Sequence, residues 1–258
     1  MNIKIIHKRL QVSFNEALHL QVRDSAKGKN KPLIIFSHGF MINGLENHRL
    51  FMKIAKSLNS LGYSTLLFDY RNCGYSDGDF NDFRASKAVI DLVKVSKWGI
   101  NNSTNNGKVS IISQSLGTLI TIKAIEKINE LVDNIVLLNL SGNNEKRYPK
   151  VFGMKILDKE TFLFPKGYKV NPEMFFDIFE FNTLELIKFI KSPILFVNSG
   201  KDNIGDLDVS RKGIESSINP KNKRVIIKNA NHFFSGNDQV MCHLINLIQK
   251  WQSSFLYS

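Results

Sequence analysis

The stretch Lys108-Val109-Ser110-Ile111-Ile112-Ser113-Gln114-Ser115-Leu116-Gly117 runs on into Thr118-Leu119-Ile120-Thr121-Ile122-Lys123-Ala124-Ile125. Its first half is short, β-branched and largely apolar, as in a buried strand; its second half is apolar at helical spacing. A strand therefore turns sharply into a helix with a serine at the apex. A serine held there stands clear of the sheet only if strand and helix pack closely, so the positions two before and two after it must be small. Ser113 and Gly117 meet that demand around Ser115, whereas choosing Ser113 as the apex places Ile111 at a small-residue position. Ser115 is the candidate nucleophile. Ser-x-Ser-x-Gly alone is a common string, and the surrounding chain has to decide its meaning.

Outward from this stretch, the N-terminal side opens with an alternating hairpin over residues 9–22 around Asn15-Glu16. Apolar runs at 32–36 and 64–69 then read as buried strands, each followed by a helical pattern, at 47–61 and 83–99. On the C-terminal side, buried strands are expected at 134–140, 192–198 and 224–228, with helices at 175–190, 207–218 and 236–252. Residues 143–174 break the rhythm and are rich in Lys, Tyr, Phe and Pro. The expected architecture is α/β: a mostly parallel sheet, an N-terminal antiparallel hairpin, helices on both faces, and one domain over residues 1–258. In such sheets ligands bind at the carboxyl ends of the strands. His38, Asp69, Ser115, Asp202 and His232 all fall just past predicted strand ends.

Composition narrows the class. A hydrophobic fraction of 43% is that of an ordinary globular protein, and no apolar run reaches the length of a membrane span, so stable membrane insertion is not expected. The N-terminus carries no signal-peptide pattern, and the two cysteines, Cys73 and Cys242, read as thiols in a reducing compartment, which points to the cytoplasm. The net charge of +12 is spread over lysines in turns and reads as a solvated surface, not a nucleic-acid footprint; an acidic acyl carrier is the partner that such charge would suit. No phosphate loop, dinucleotide fingerprint or metal-ligand spacing is present, so neither metal nor cofactor is expected.

A serine hydroxyl needs a base, and the base needs an orienting carboxylate. His232 lies between the last strand and the last helix and is the candidate base. His7, His19, His48 and His243 read as structural or surface residues. Asp202, in Gly200-Lys201-Asp202, is the candidate carboxylate; Asp206 and Asp208 compete but read as helix-start acids. The oxyanion donors would be the Leu116 N–H, at the helix start, and the Phe40 N–H, in the loop Ser37-His38-Gly39-Phe40. His38 is read as positioning that loop. His38, Gly39 and Met41, with Phe152 and Phe164 from the 143–174 segment, are the expected pocket residues.

His38-Gly39, Asp69-x-Arg71-x-x-Gly74-x-Ser76, Ser-x-Ser115-x-Gly, Gly200-x-Asp202 and His232, in this order, resemble the α/β-hydrolase superfamily. The likeness is to the branch of small carboxylesterases, feruloyl-type esterases, monoacylglycerol-lipase-like enzymes and acyl thioesterases. The chain departs from the pattern at Ser113 and Asn72, both commonly Gly. Asn tolerates left-handed backbone, so the turn at 72 can survive. The Arg71–Ser76 loop is expected to be structural, with Asp69 and Arg71 paired. The resemblance implies a lid at about 143–174, bearing Tyr148, Phe152, Met154, Phe162, Phe164 and Tyr168. It implies a serine hydrolase cleaving small to medium acyl or aryl esters through an acyl-enzyme. The same residues would serve a thioesterase or an acyltransferase, and the remaining alternative is a non-catalytic ligand-binding protein on this fold.

Overall fold

The computed structural model describes residues 3–40, 43–142, 155–156, 162–163, 169–171, 173, 177, 182–204 and 207–255. Six strands form the parallel body of the main sheet: β3 (Leu33–Ser37), β4 (Thr65–Phe68), β5 (Val109–Gln114), β6 (Val132–Leu138), β10 (Ile194–Ser199) and β11 (Lys223–Ile227). The hairpin β1 (Ile3–Gln11) and β2 (Ala17–Ser25) joins antiparallel at one edge, giving the order β1-β2-β4-β3-β5-β6-β10-β11. The hairpin turn sits where the alternation placed it, but β1 begins well before residue 9. Three two-residue strands, β7 (Lys155–Ile156), β8 (Phe162–Leu163) and β9 (Lys169–Val170), make a small antiparallel sheet inside the segment that had shown no period.

Strand alternation divides the core into two layers. Leu33, Ile35, Val109, Ile111, Ile135 and Leu137 face α2 (Ala85–Asn102) and α3 (Leu116–Ile128). Ile34, Phe36, Ile112, Val136 and Leu138 face α1 (Leu50–Ser60) and α6 (Asp238–Ser253). Two shorter helices, α4 (Thr183–Ile187) and α5 (Leu207–Ser216), precede and follow β10. The apolar run 117–125 is buried nearly all round because α3 lies against both the sheet and α2. β11 differs from its expected burial: it is the far edge strand, and four of its five residues are at least partly exposed.

The chain leaves β3 toward β4 on one side and returns to β5 on the other. The strand order therefore reverses between β3 and β5, and a crevice opens outside their carboxyl ends. The loop from His38 and the serine turn meet at that crevice.

Candidate active site

Ser115 sits between β5 and α3 with φ 50° and ψ −121°, a conformation that L-residues rarely adopt. Neighbours on both sides impose it. The Ser115 N–H donates to Leu138 O (3.0 Å), and Ser115 O accepts from the Thr118 N–H (2.9 Å) and the Thr118 hydroxyl (2.6 Å). The turn passes close under β3: a Cβ added to Gly117 would lie 2.2 Å from Ser37 O and 2.6 Å from His38 O. The other small position has more room. Ser113 is buried and its hydroxyl donates to Val136 O at 3.3 Å, so a serine is accommodated where Gly is usual.

His232 Nδ1 lies 2.9 and 2.8 Å from the two oxygens of Asp202, and both side chains are buried, at 4% and 3% exposure. The carboxylate requires the proton on Nδ1, which leaves Nε2 with a lone pair. Backbone pairing beyond the strand ends brings the two together. The Gly200 N–H donates to Ile227 O and the Lys201 N–H to Ala230 O, both at 2.9 Å, and Gly200 packs so tightly on Lys228 that a Cβ would meet its carbonyl oxygen at 2.5 Å. Gln114 Nε2 (2.7 Å) and Asn139 Nδ2 (2.8 Å) donate to His232 O and hold the loop to the carboxyl ends of β5 and β6. Of the competing acids, Asp208 is taken up by Arg211 and Lys212 on α5, and Asp206 lies outside the described residues.

Ser115 and His232 line one cavity of about 80 Å³, with Gly39, Phe40, Glu46, Asn47, Gln114, Ile204 and Phe233 among the described residues. Among the described residues the His232 ring is hydrogen-bonded to Asp202 and not to Ser115; contacts between a nucleophile and its base commonly tighten when substrate binds. Leu116 is the first residue of α3, where backbone N–H groups have no acceptor within the helix. Phe40 lines the cavity and its ring packs edge-on against Phe80 at 5.5 Å. Gly39 lies against Ser115, with 3.5 Å between the Ser115 Cβ and the position a Gly39 Cβ would take.

Several expectations are corrected. His38 is fully buried and does not face the cavity. One ring nitrogen accepts the Tyr70 N–H (3.2 Å) and the other donates to Gly39 O (2.9 Å). Burial lowers its pKa, so the neutral ring holds the loop. Leu45 packs on the core beside α1. Arg71 does not pair with Asp69. It binds the fully buried Asp91 on α2 (2.6 Å) and Glu16 (3.0 Å), while Asp69 accepts the Gly44 N–H (2.6 Å) and the Tyr75 N–H (2.8 Å). Asn72 does take left-handed backbone, with φ 68°. Met41, Phe152 and Phe164, like Tyr148, Met154 and Tyr168, lie outside the described residues, and Phe162 is described in its backbone only. Cys73 and Cys242 are free thiols, and no helix among the described residues is long and apolar enough to cross a membrane. Those residues hold no group of three or more side chains able to bind a metal.

Glu46 is the functional candidate that no sequence pattern signalled. It lies seven residues past Gly39 in a loop without periodicity, yet its side chain is buried and lines the cavity with Ser115 and His232. Burial pushes its carboxyl up to about 7, against the opposing pull of two backbone N–H bonds and of His232.

Residues 32–165, just over half of the 258-residue chain, match the family model described as the alpha/beta hydrolase fold. A 104-residue stretch, 40% of this chain, is 30% identical to an uncharacterized 31.7 kDa protein of Escherichia coli from the traX-finO intergenic region and covers 35% of it. The lysophosphatidylserine lipase ABHD12 of Rattus norvegicus is 25% identical over 193 residues, which are 73% of this chain and 46% of that one. The chain thus spans about a third to a half of the length of these curated relatives. The structure of ferulic-acid-bound Est1E from Butyrivibrio proteoclasticus superposes with a TM-score of 0.80 at 17% identity, covering 97% of this chain and 100% of that one; this is a likeness of fold.

Proposed function

Because the chain belongs to the alpha/beta hydrolase fold family, we propose that it is a serine hydrolase that cleaves carboxylic esters of small to medium acyl or aryl groups through an acyl-enzyme. One observation carries the proposal: Ser115, on a strained turn, shares a cavity with a histidine whose Nδ1 is held by a buried carboxylate. Ser115 Oγ attacks the ester carbonyl while His232 Nε2 takes its proton, and Asp202 stabilises the imidazolium that forms. The oxyanion is received by the N–H groups of Leu116 and Phe40. The intermediate collapses as His232 passes the proton to the departing alcohol. Water, deprotonated by His232, then attacks the acyl-serine and releases the acid. The name of the rat relative, a lipase, supports an ester as the substrate class.

In this reading residues 1–258 form one domain, 143–174 serve as a lid, and the free thiols fit a cytoplasmic setting. A thioester would be cleaved by the same residues with a thiol leaving. The charge of +12 favours that second reading where the acyl group arrives on an acidic carrier. The test is fluorophosphonate labelling together with an ester and thioester panel, wild type beside Ser115→Ala. Labelling and turnover confined to the wild type are expected; an unlabelled and inert wild type refutes the enzyme reading and leaves the ligand-binding alternative.

A further inference from the structure

We infer that Glu46 is a positioning residue for the oxyanion loop: by accepting the Gly39 N–H, its carboxylate anchors the His38–Gly39 peptide and, through it, the next peptide, which presents the Phe40 N–H to the reacting carbonyl. The inference rests on the hydrolase reading above.

The geometry is specific. Glu46 holds a non-glycine left-handed backbone, φ 60°, pinned by its own N–H on Asn43 O (3.0 Å) and by the Arg49 N–H on its carbonyl (3.1 Å). That backbone turns the side chain inward. One carboxylate oxygen accepts the Gly39 N–H and the other accepts the Asn47 N–H at 2.9 Å. Among the described residues no lysine or arginine pairs with it. Gly39 is wedged between this carboxylate and the serine: a Cβ there would lie 2.8 Å from Glu46 Oε1 and 3.5 Å from the Ser115 Cβ.

Gly39 is thus clamped on both sides. Glu46 takes its N–H, and His38 donates to its C=O. In a trans peptide the C=O and the next N–H point in opposite directions. Drawing Gly39 O toward His38 therefore turns the Phe40 N–H the other way. A charged acceptor on the preceding peptide makes that arrangement stiff, since hydrogen bonds to ionised groups are stronger than neutral ones. An unpaired buried carboxylate is costly, and such violations of local stability concentrate at functional sites.

The charge also matters to the reacting pair. His232 faces Glu46 from the loop after β11, with Asp202 behind it. Tyr70, whose hydroxyl also feels Glu46, and the neutral His38 flank it from the carboxyl ends of β4 and β3, and His48 and Arg49 follow on its own turn. A protonated carboxyl has one oxygen fewer to offer the two N–H donors. Burial puts that protonation at about 7, so loop order changes with pH in that range.

The experiment compares wild type with Glu46→Gln, which keeps the shape and cannot ionise. It measures kcat and KM for p-nitrophenyl butyrate across pH, affinity for a trifluoromethyl ketone that forms an oxyanion adduct, and the Gly39 amide resonance by 15N NMR. Losing one oxyanion donor costs about 10²- to 10³-fold; a misaimed donor is expected to cost about 10- to 100-fold in kcat at alkaline pH, with KM nearly unchanged and ketone affinity falling in parallel. The acid limb of the profile should lose one ionisation. The Gly39 amide should move with pH in wild type and stay flat in the variant. Equal kcat in both proteins, a loss confined to KM, or a Gly39 amide insensitive to pH each overturns the proposal. Should the variant fail to fold, the wild-type Gly39 titration decides. A wild type that is neither labelled nor active overturns the hydrolase reading and this one with it; an active wild type indifferent to Glu46 overturns this one alone.

Discussion

Gly117→Ala tests whether the serine turn depends on its approach to β3. Gly117 is the second residue of α3, and in an open helix the change to Ala would stabilise by about 1 kcal/mol. Here the new methyl would lie 2.2 Å from Ser37 O and 2.6 Å from His38 O, against an ordinary contact of 3.4 Å or more. The turn must therefore retreat by about 1 Å from a strand whose residues 33–36 are fully buried. Overpacking of this size costs about 1–3 kcal/mol or more, so the propensity gain is overridden and the net change is a loss of about 1–2 kcal/mol. For a chain of this length that is a fall in Tm of about 5 °C. Activity should suffer more than stability. A displacement of about 1 Å between the nucleophile and the donor loop is worth about 100-fold. Thermal unfolding by circular dichroism and the rate of fluorophosphonate labelling measure the two effects. A variant with wild-type or higher Tm and an unchanged labelling rate would refute the claim that close packing under Ser37 and His38 sets the site.

Asp202→Asn should lower kcat by about 10³- to 10⁴-fold with KM little changed, because the amide no longer holds the Nδ1–H tautomer; a loss under tenfold would show that another group orients His232. Asp91→Ala leaves the buried Arg71, among the described residues, with Glu16 as its remaining ion-pair partner and should cost about 3–5 kcal/mol, read from the urea midpoint, with a change below about 1 kcal/mol contradicting the pairing. Glu46 binds its proton more tightly folded, at about 7, than its ordinary value of 4.5, so the stability linked to its proton is complete below that ordinary value and is lost as pH rises through about 7. Glu46→Gln should accordingly gain on wild type by about 3 kcal/mol from mildly acidic to alkaline pH; a constant difference across that range would count against a buried, unpaired carboxylate.

What the sequence made legible followed from short-range pattern. The β3, β4, β5, β6 and β10 runs announced themselves because a strand covered on both faces must be apolar throughout. Ser115 could be preferred to Ser113 because close packing forbids Ile at a small-residue position. Asp202 and His232 could be singled out because each follows a strand; their side chains lie 2.8 Å apart. Partner choice beyond the neighbouring turn could not be read. Asp69 stands two residues before Arg71 and looked like its partner, but those carboxylate oxygens are taken by N–H groups of two loops, and the guanidinium reaches a helix twenty positions on. Glu46 was hidden for a related reason. Its role depends on a left-handed backbone that turns an apparently surface acid inward, and no periodicity encodes that. β11 was read as buried because its Val225-Ile226-Ile227 run is apolar, although it borders solvent at the sheet edge.

The strained turn at Ser115 also has a consequence for the order of assembly during synthesis. Its amide is tied to Leu138, so the elbow can be built once β6 has left the ribosome, and domains commonly begin folding from the N-terminal side. The buried aspartate–histidine pair arrives much later: Asp202 and His232 are brought together by the pairing of the segments after β10 and β11. A nascent chain halted between those points carries a shaped but unarmed serine. Under the proposed hydrolase reading the serine gains its base only when nearly the whole sheet has closed, and a half-made chain is spared from acylating itself.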